Sequence, residues 1–389
     1  MTTSPDDLVV PHPVHVPEPA LQDLRARLAA TRWPVPETAA GQGPRLRSLQ
    51  DLTAYWLHTY DWRRCERDLN ALGSSRTVVD GLGVHLLHVR SPEPGARPLL
   101  LCHGWPGSVL EFRRMVGPLT DPVAHGGRAE DAFHVVVPSM PGFGFSDAPT
   151  GTGWGVRRTA DAWITLMHRL GYRDGWFAQG GDWGAAVVDA IGRAPGSGCA
   201  AVHFNLPMVF PTEAEVAAAT PQEQRMLDRA RLYATEQDAY ARVQATRPQT
   251  VGYALADSPV ALAAWILTLF EDVTDRRADP EGDPLALVGR DEFLDDVMLY
   301  WLTNAGASSA RLYWEARRER PADGPGPTPA GFSVFPAEAV QASRRWVERR
   351  YATVLHHALL ERGGHFAALE QPDLLTEEVR TTFRGLPRG

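Results

Sequence analysis

The segment Gly180-Gly181-Asp182-Trp183-Gly184 constrains this chain more than any other stretch. The apolar run Gly175-Trp176-Phe177-Ala178 precedes it, and the helix-like Ala185-Ala186-Val187-Val188-Asp189-Ala190 follows. The pattern reads as a strand, a sharp turn and a helix, with small residues two before and two after one protruding side chain. That side chain is a carboxylate. A serine at such a turn suits attack on a carbonyl, whereas a carboxylate suits displacement at a saturated carbon carrying a leaving group. The displacement forms an enzyme-bound ester that water must then cleave.

Strand signals surround this turn. Thr77-Val78-Val79, the turn Asp80-Gly81 and Val84-His85-Leu86-Leu87-His88-Val89 predict a hairpin. Pro98 to Cys102 and Phe133 to Val137 are continuous apolar runs, as expected of strands covered on both faces. Trp176 to Ala178, Ala200 to Phe204, Phe332 to Phe335 and Thr353 to His357 continue the series, with helical stretches such as Thr159 to Leu170 between them. Alternating strands and helices predict an α/β fold with a doubly wound, mainly parallel sheet.

Two regions fall outside that alternation. Residues 1–75 form an N-terminal arm with leucines at 21, 24 and 28 on one helical face, and a second amphipathic segment over Leu49 to Leu69. Such helices need a surface to cover, so the arm is expected to pack on the rest of the protein. Residues 208–328 are rich in Ala, Glu, Arg and Leu and lack strand signals, which predicts a helical cap inserted between core segments 76–207 and 329–389. The stretch Pro321 to Pro327 reads as the linker back to the core. No internal repeat is present.

Composition excludes several functions. The 389 residues, 44% of them hydrophobic, suffice for one large core with an insertion. A net charge of −8 disfavours nucleic acid and anionic membrane as main partners. All 39 basic residues are Arg, which removes a lysine Schiff base and a phosphate-loop lysine. Cys65, Cys102 and Cys199 form neither a disulfide framework nor a zinc spacing, so a reducing cytoplasm is expected. Met1 to Asp7 is polar and acidic, unlike a signal peptide. The longest apolar stretch, Pro259 to Phe270, covers twelve residues. A membrane span needs about 20, so this stretch reads as a buried helix in a soluble protein.

A carboxylate nucleophile needs a base to release its ester. In the α/β-hydrolase fold, whose nucleophile elbow the Gly180–Gly184 turn matches, the order is nucleophile, acid, histidine. Glu338 follows one late strand and His365, within Arg362-Gly363-Gly364-His365-Phe366-Ala367-Ala368, follows the next. Both are expected at the carboxyl edge of the sheet, where a neutral histidine takes a proton from water and the glutamate orients it. His103-Gly104-Trp105-Pro106-Gly107 offers the backbone N–H of Trp105 to pair with that of Trp183 as an oxyanion hole. The Trp105–Pro106 bond is a candidate cis peptide, and His103 is expected to order this loop. Met140 to Ser146 is glycine-rich but lacks a dinucleotide fingerprint. A leaving group that departs as an alkoxide would need a proton donor. Tyr233, Tyr240, Tyr253, Tyr300 and Tyr313 in the insertion are the candidates, and composition does not choose among them.

Five motifs together give a specific resemblance. They are His103-Gly104-Trp105-Pro106-Gly107-Ser108, Pro141-Gly142-Phe143-Gly144-Phe145-Ser146, Gly180-Gly181-Asp182-Trp183-Gly184, Leu299-Tyr300-Trp301-Leu302-Thr303 and Gly363-Gly364-His365-Phe366-Ala367-Ala368. With them and the arm motifs His15-Val16-Pro17 and Arg32-Trp33-Pro34, the chain resembles the microsomal-type epoxide hydrolases over nearly its whole length. The resemblance implies Asp182 as nucleophile, Glu338 and His365 as the charge-relay pair, and Tyr240 and Tyr313 as cap tyrosines. The flanks of Tyr240 differ from the family pattern, which keeps Tyr233 and Tyr253 open. It further implies a small hydrophobic or aryl epoxide as substrate and no metal or organic cofactor; the N-terminal hydrophobic anchor of the membrane-bound members is not seen here, a departure that agrees with the expected soluble protein. Bacterial relatives of this type act on xenobiotic epoxides or in natural-product pathways, including enediyne antibiotics, and the Arg, Ala, Pro and Gly bias of the chain, of the kind a GC-rich bacterial genome gives, leans toward the latter. A homodimer is left open. Two other readings share the residues: a haloalkane dehalogenase with the same nucleophile, and a non-catalytic receptor for a small ligand.

Overall fold

A computed structural model describes residues 8–320 and 324–386. The acidic start Met1–Asp7 and the linker residues Pro321–Asp323 lie outside the described residues. Nine strands form one sheet: β1 (Val10–Pro11), β2 (Ser74–Val79), β3 (Leu82–Val89), β4 (Arg97–Cys102), β5 (Phe133–Pro138), β6 (Trp176–Gly180), β7 (Cys199–Phe204), β8 (Ala330–Val334) and β9 (Val354–Leu359). Their order across the sheet is β1-β2-β3-β5-β4-β6-β7-β8-β9. The first three strands join antiparallel, with β3 pairing β5, and β5 through β9 run parallel.

That order has a functional consequence. The chain leaves β4 toward β5 on one side and returns to β6 on the other, so strand order reverses at β4. Open sheets bind ligands at the carboxyl ends of strands beside such a reversal. The central strands can occupy this position because they are apolar on both faces: Leu99, Leu100, Leu101, Val135, Val136, Val137, Phe177 and Ala178 are all fully buried.

The arm departs from its expected layout in two ways. Its start contributes β1, a strand too short for any periodic signal, with Val10 opposite Arg76 and Pro11 opposite Ser75. The amphipathic segment Leu49–Leu69 is not one helix but two, Leu46–His58 and Trp62–Ala71. Asp61 ends the continuity by accepting a hydrogen bond from the Arg63 N–H as an N-cap. The helix Glu18–Ala29 buries Leu21, Leu24 and Leu28. Burying side chains of this kind is worth about 1.5–3 kcal/mol each.

Polar contacts join the arm to helices from the insertion. Asp295 is fully buried on the helix Arg290–Leu302, where it accepts from the Tyr60 hydroxyl and the Arg64 guanidinium. Arg113, from the helix after β4, donates to the same carboxylate at 2.8 Å.

Between β7 and β8 the described chain is helical. Pro221–Leu232 continues into a π-helical turn at Tyr233–Gln237, and Ala239–Thr246, Pro248–Asp257, Pro259–Val273, Arg290–Leu302 and Gly306–Ala316 follow. The helix over Pro259–Val273 is buried along much of its length, as its apolar sequence predicts. Among the described residues no helix is long and apolar enough to cross a membrane.

Candidate active site

Asp182 stands at the first position of the helix Asp182–Arg193, directly after β6, with φ +48°. Left-handed backbone is uncommon for a non-glycine residue and persists only where the surroundings enforce it. The neighbouring glycines explain how. A Cβ on Gly184 would lie 2.0 Å from the Cys102 carbonyl oxygen, and one on Gly180 would lie 2.4 Å from that of Gly184. Strand and helix therefore approach more closely than any side chain permits, and the carboxylate is lifted clear of the turn.

The ends of the parallel strands bring the partners together. Glu338 lies beyond β8 and His365 beyond β9. His365 Nδ1 is 3.0 Å from Glu338 Oε2, and its Nε2 is 3.4 Å from Asp182 Oδ2. Glu338 is fully buried and also accepts from the Ala339 N–H at 2.6 Å. The His365 backbone is fixed by donation to the Val273 carbonyl. Burial disfavours the imidazolium, but the two flanking carboxylates, Glu338 foremost, overcome that and raise the His365 pKa well above 6.5.

The loop after β4 completes the floor. The Trp105 N–H donates to Asp182 Oδ1 at 2.7 Å, across a chain whose Trp105–Pro106 bond is cis. Trp183 follows Asp182 in the first helical turn, where backbone N–H groups have no intrahelical acceptor. His103 bridges two loops: its Nδ1 meets the Gly104 carbonyl, and its Nε2 accepts from the Met140 N–H. Burial pushes its pKa down to about 4, so it stays neutral.

Aromatic side chains roof the carboxylate. Tyr240 stacks on Trp105 with centroids 5.1 Å apart, and the Tyr313 ring stands edge-on to Trp183 at 4.8 Å. The Tyr233 and Tyr240 hydroxyls are 2.9 Å apart, whereas among the described residues the buried Tyr313 hydroxyl makes no close hydrogen bond and has Tyr240 and Trp183 as its polar neighbours. Burial, reinforced by neighbouring tyrosines and Asp182, raises the pKa of Tyr240 and Tyr313 well above 10, so both remain protonated donors. Of the other candidates, Tyr253 is 70% exposed, and Tyr300 donates its hydroxyl to the Gly107 carbonyl. Neither borders the site.

A cavity of about 1240 Å³ opens over this group, bordered by Asp182, His365, Tyr233, Tyr240 and Tyr313 with apolar walls such as Leu206, Val209 and Leu269. Residues Glu111 and Asn205 also approach Asp182, and sequence reading missed both. The one available signal for Glu111 was an acid set in the apolar run Val109-Leu110-Glu111-Phe112. Among the described residues no group of three or more His, Cys, Asp or Glu is arranged to hold a metal ion. Chemically, the arrangement offers a carboxylate placed as a nucleophile, a histidine–carboxylate pair in contact with it, and protonated phenolic hydroxyls facing a largely apolar space.

The chain as a whole is similar to known proteins. Residues 9–112 match the family model described as epoxide hydrolase N terminus, and residues 97–264 match that of the alpha/beta hydrolase fold. A Stigmatella aurantiaca protein named "Putative epoxide hydrolase" is 50% identical over 97% of this chain and 85% of its own length. Epoxide hydrolase 1 of Sus scrofa is 34% identical over 98% of this chain and 89% of its own. The structure of the Aspergillus niger epoxide hydrolase superposes with a TM-score of 0.85 at 30% identity, covering 96% of each chain. By this identity over nearly its full length, the chain belongs to the epoxide hydrolase family of the α/β-hydrolase fold.

Proposed function

We propose that this enzyme converts an epoxide to a vicinal diol in two steps through an ester on Asp182. The observation that carries the reading is one juxtaposition: a carboxylate on the elbow, 3.4 Å from His365, beneath a buried tyrosine hydroxyl that makes no close hydrogen bond among the described residues. In the first step Asp182 attacks a ring carbon, the carbon–oxygen bond breaks, and Tyr240 or Tyr313 gives its proton to the departing oxygen. Ester formation removes the negative charge of Asp182. One of the two charges that hold the proton on His365 is then gone, its pKa falls, and the proton restores the tyrosine.

Neutral His365, oriented by Glu338, can now take a proton from water as the hydroxide attacks the ester carbonyl. The N–H groups of Trp105 and Trp183 receive the developing oxyanion. Collapse breaks the bond to the substrate oxygen, the departing alkoxide takes the remaining proton of the added water, and the diol leaves with Asp182 anionic beside protonated His365, as at the start. Atoms and charge balance over the cycle.

The helical stretch 208–328 serves as the cap that brings the tyrosines over the core, with residues 1–75 as the arm and 76–207 and 329–389 as the two core segments. The apolar walls suit a small hydrophobic or aryl epoxide. A reducing, cytoplasmic setting fits the three unpaired cysteines.

His365→Gln tests the scheme. It removes the base and leaves the nucleophile, so intact-protein mass spectrometry after styrene oxide is expected to find a substrate-sized adduct on Asp182. Retained diol formation with no adduct would overturn the scheme, and halide release from chloroalkanes without diol formation would favour the dehalogenase reading.

A further inference from the structure

The Asp182–His365 pair borders two spaces, not one. Besides the large cavity, a small pocket of about 10 Å³ is lined by Asp182, His365, Gly104, Glu111, Asn205 and Phe366, among others, and by no tyrosine. That volume accommodates about one water molecule, and a buried water is stable only with two to four polar partners. Carboxylate, amide and imidazole groups supply them here.

Glu111 is built into this pocket. It belongs to the turn Val109–Phe112, capped by the Ser108 hydroxyl, which accepts from the Leu110 N–H at 3.2 Å. Its carboxyl group lies flush against Gly107, where a Cβ would fall 1.2 Å from Oε1. Asp296, itself buried beside Ser108, and Asp182 are its acidic neighbours. Burial first, and then Asp296, push the Glu111 pKa well above the usual carboxylate range. A protonated carboxyl both donates and accepts a hydrogen bond and adds no charge beside the nucleophile. Asn205 follows β7, and its Oδ1 accepts from the Gln179 amide at 2.6 Å, which fixes its orientation.

We propose that Glu111, with Asn205, holds the hydrolytic water in this small pocket, separate from the substrate cavity, and is a positioning residue for ester hydrolysis. The proposal rests on the Asp182 ester reading. The held water attacks the ester carbonyl carbon, gives its proton to His365 Nε2, and the bond from that carbon to the substrate oxygen then breaks. Water is thereby at hand while the substrate cavity is filled by an apolar ligand.

Single-turnover kinetics with styrene oxide, followed by intact-protein mass spectrometry, tests this. Glu111→Leu should form the ester at the wild-type rate and hydrolyse it about 100-fold more slowly, the scale of a misplaced reactant. In steady state kcat and KM should then fall together with kcat/KM unchanged, which a general loss of structure would not produce. Glu111→Gln, which keeps a neutral donor and acceptor, should restore most of the hydrolysis rate. Asn205→Ala should slow the same step, and it reads the same quantity if Glu111→Leu does not fold. Normal ester breakdown in Glu111→Leu or in Asn205→Ala, with an adduct present on the His365→Gln control, would overturn the role of this pocket alone. Absence of an adduct on that control would overturn the ester reading with it.

Discussion

The hydroxyl of Tyr240 is 2.9 Å from that of Tyr233, whereas among the described residues the Tyr313 hydroxyl makes no close hydrogen bond, with Tyr240 and Trp183 only nearby. With Tyr233 as donor, Tyr240 is left with its own proton directed elsewhere. Tyr240 and Tyr313 are thus unequal in what they lose by truncation. Tyr313→Phe removes no close hydrogen bond and should leave Tm unchanged or slightly higher, because an unsatisfied buried hydroxyl is costly. Its effect should fall on ester formation, slowed by about 100-fold as for loss of one positioned acid. Tyr240→Phe should slow the same step and also lower Tm, and the double variant should form no ester. Stopped-flow tryptophan fluorescence and thermal melts check both; wild-type ester formation in the double variant would remove the tyrosines from the chemistry.

A second expectation concerns pH and stability. The folded-state pKa of His365 is raised above its ordinary 6.5 by Glu338 and Asp182, against the opposing effect of burial. A group raised on folding stabilises fully below its unfolded pKa and loses that contribution as pH climbs through the folded value. The triad should therefore contribute most below about pH 6.5 and progressively less above it. His365→Gln lacks this contribution, so the Tm gap between wild type and variant should narrow from pH 6 to pH 9. A gap that widens with pH would mean that His365 is neutral in the resting enzyme.

Third, Asp295 joins three parts of the chain. Its carboxylate accepts from Tyr60, Arg64 and Arg113 while fully buried. Asp295→Ala would remove the buried carboxylate that Arg64 and Arg113 share and leave them only their longer pairs with Asp68, Asp291 and Glu292, which should cost roughly 3 kcal/mol. Denaturant titration measures the loss, and limited proteolysis should show earlier cleavage near Thr59–Asp61, where the two arm helices meet. A loss below about 1 kcal/mol would place this triad with ordinary surface pairs.

The site was legible where chemistry is tied to a strand end. Asp182, Glu338 and His365 each follow an apolar run, and the sheet brings successive parallel strands side by side, so linear order already implied proximity. The tyrosines had no such frame. Inside a helical region each looks like another amphipathic position, and only the packed structure separates buried Tyr240 and Tyr313 from exposed Tyr253 and from Tyr300, which serves the Gly107 loop. Asn205 and Glu111 lack motif context altogether; their significance comes from the volume enclosed between loops that are distant in sequence. In the arm, apolar residues continue across Thr59–Asp61, so periodicity joined two helices that a capping aspartate divides.

The strand Val10–Pro11 marks where this sheet stops. It is two residues long, and its second residue has no backbone N–H. An incoming chain would find a ladder too short to extend and deprived of a donor, a common safeguard against edge-to-edge aggregation. Self-association of this enzyme by continuing the sheet past β1 is thereby discouraged, and any stable pairing of two copies has to use a different surface.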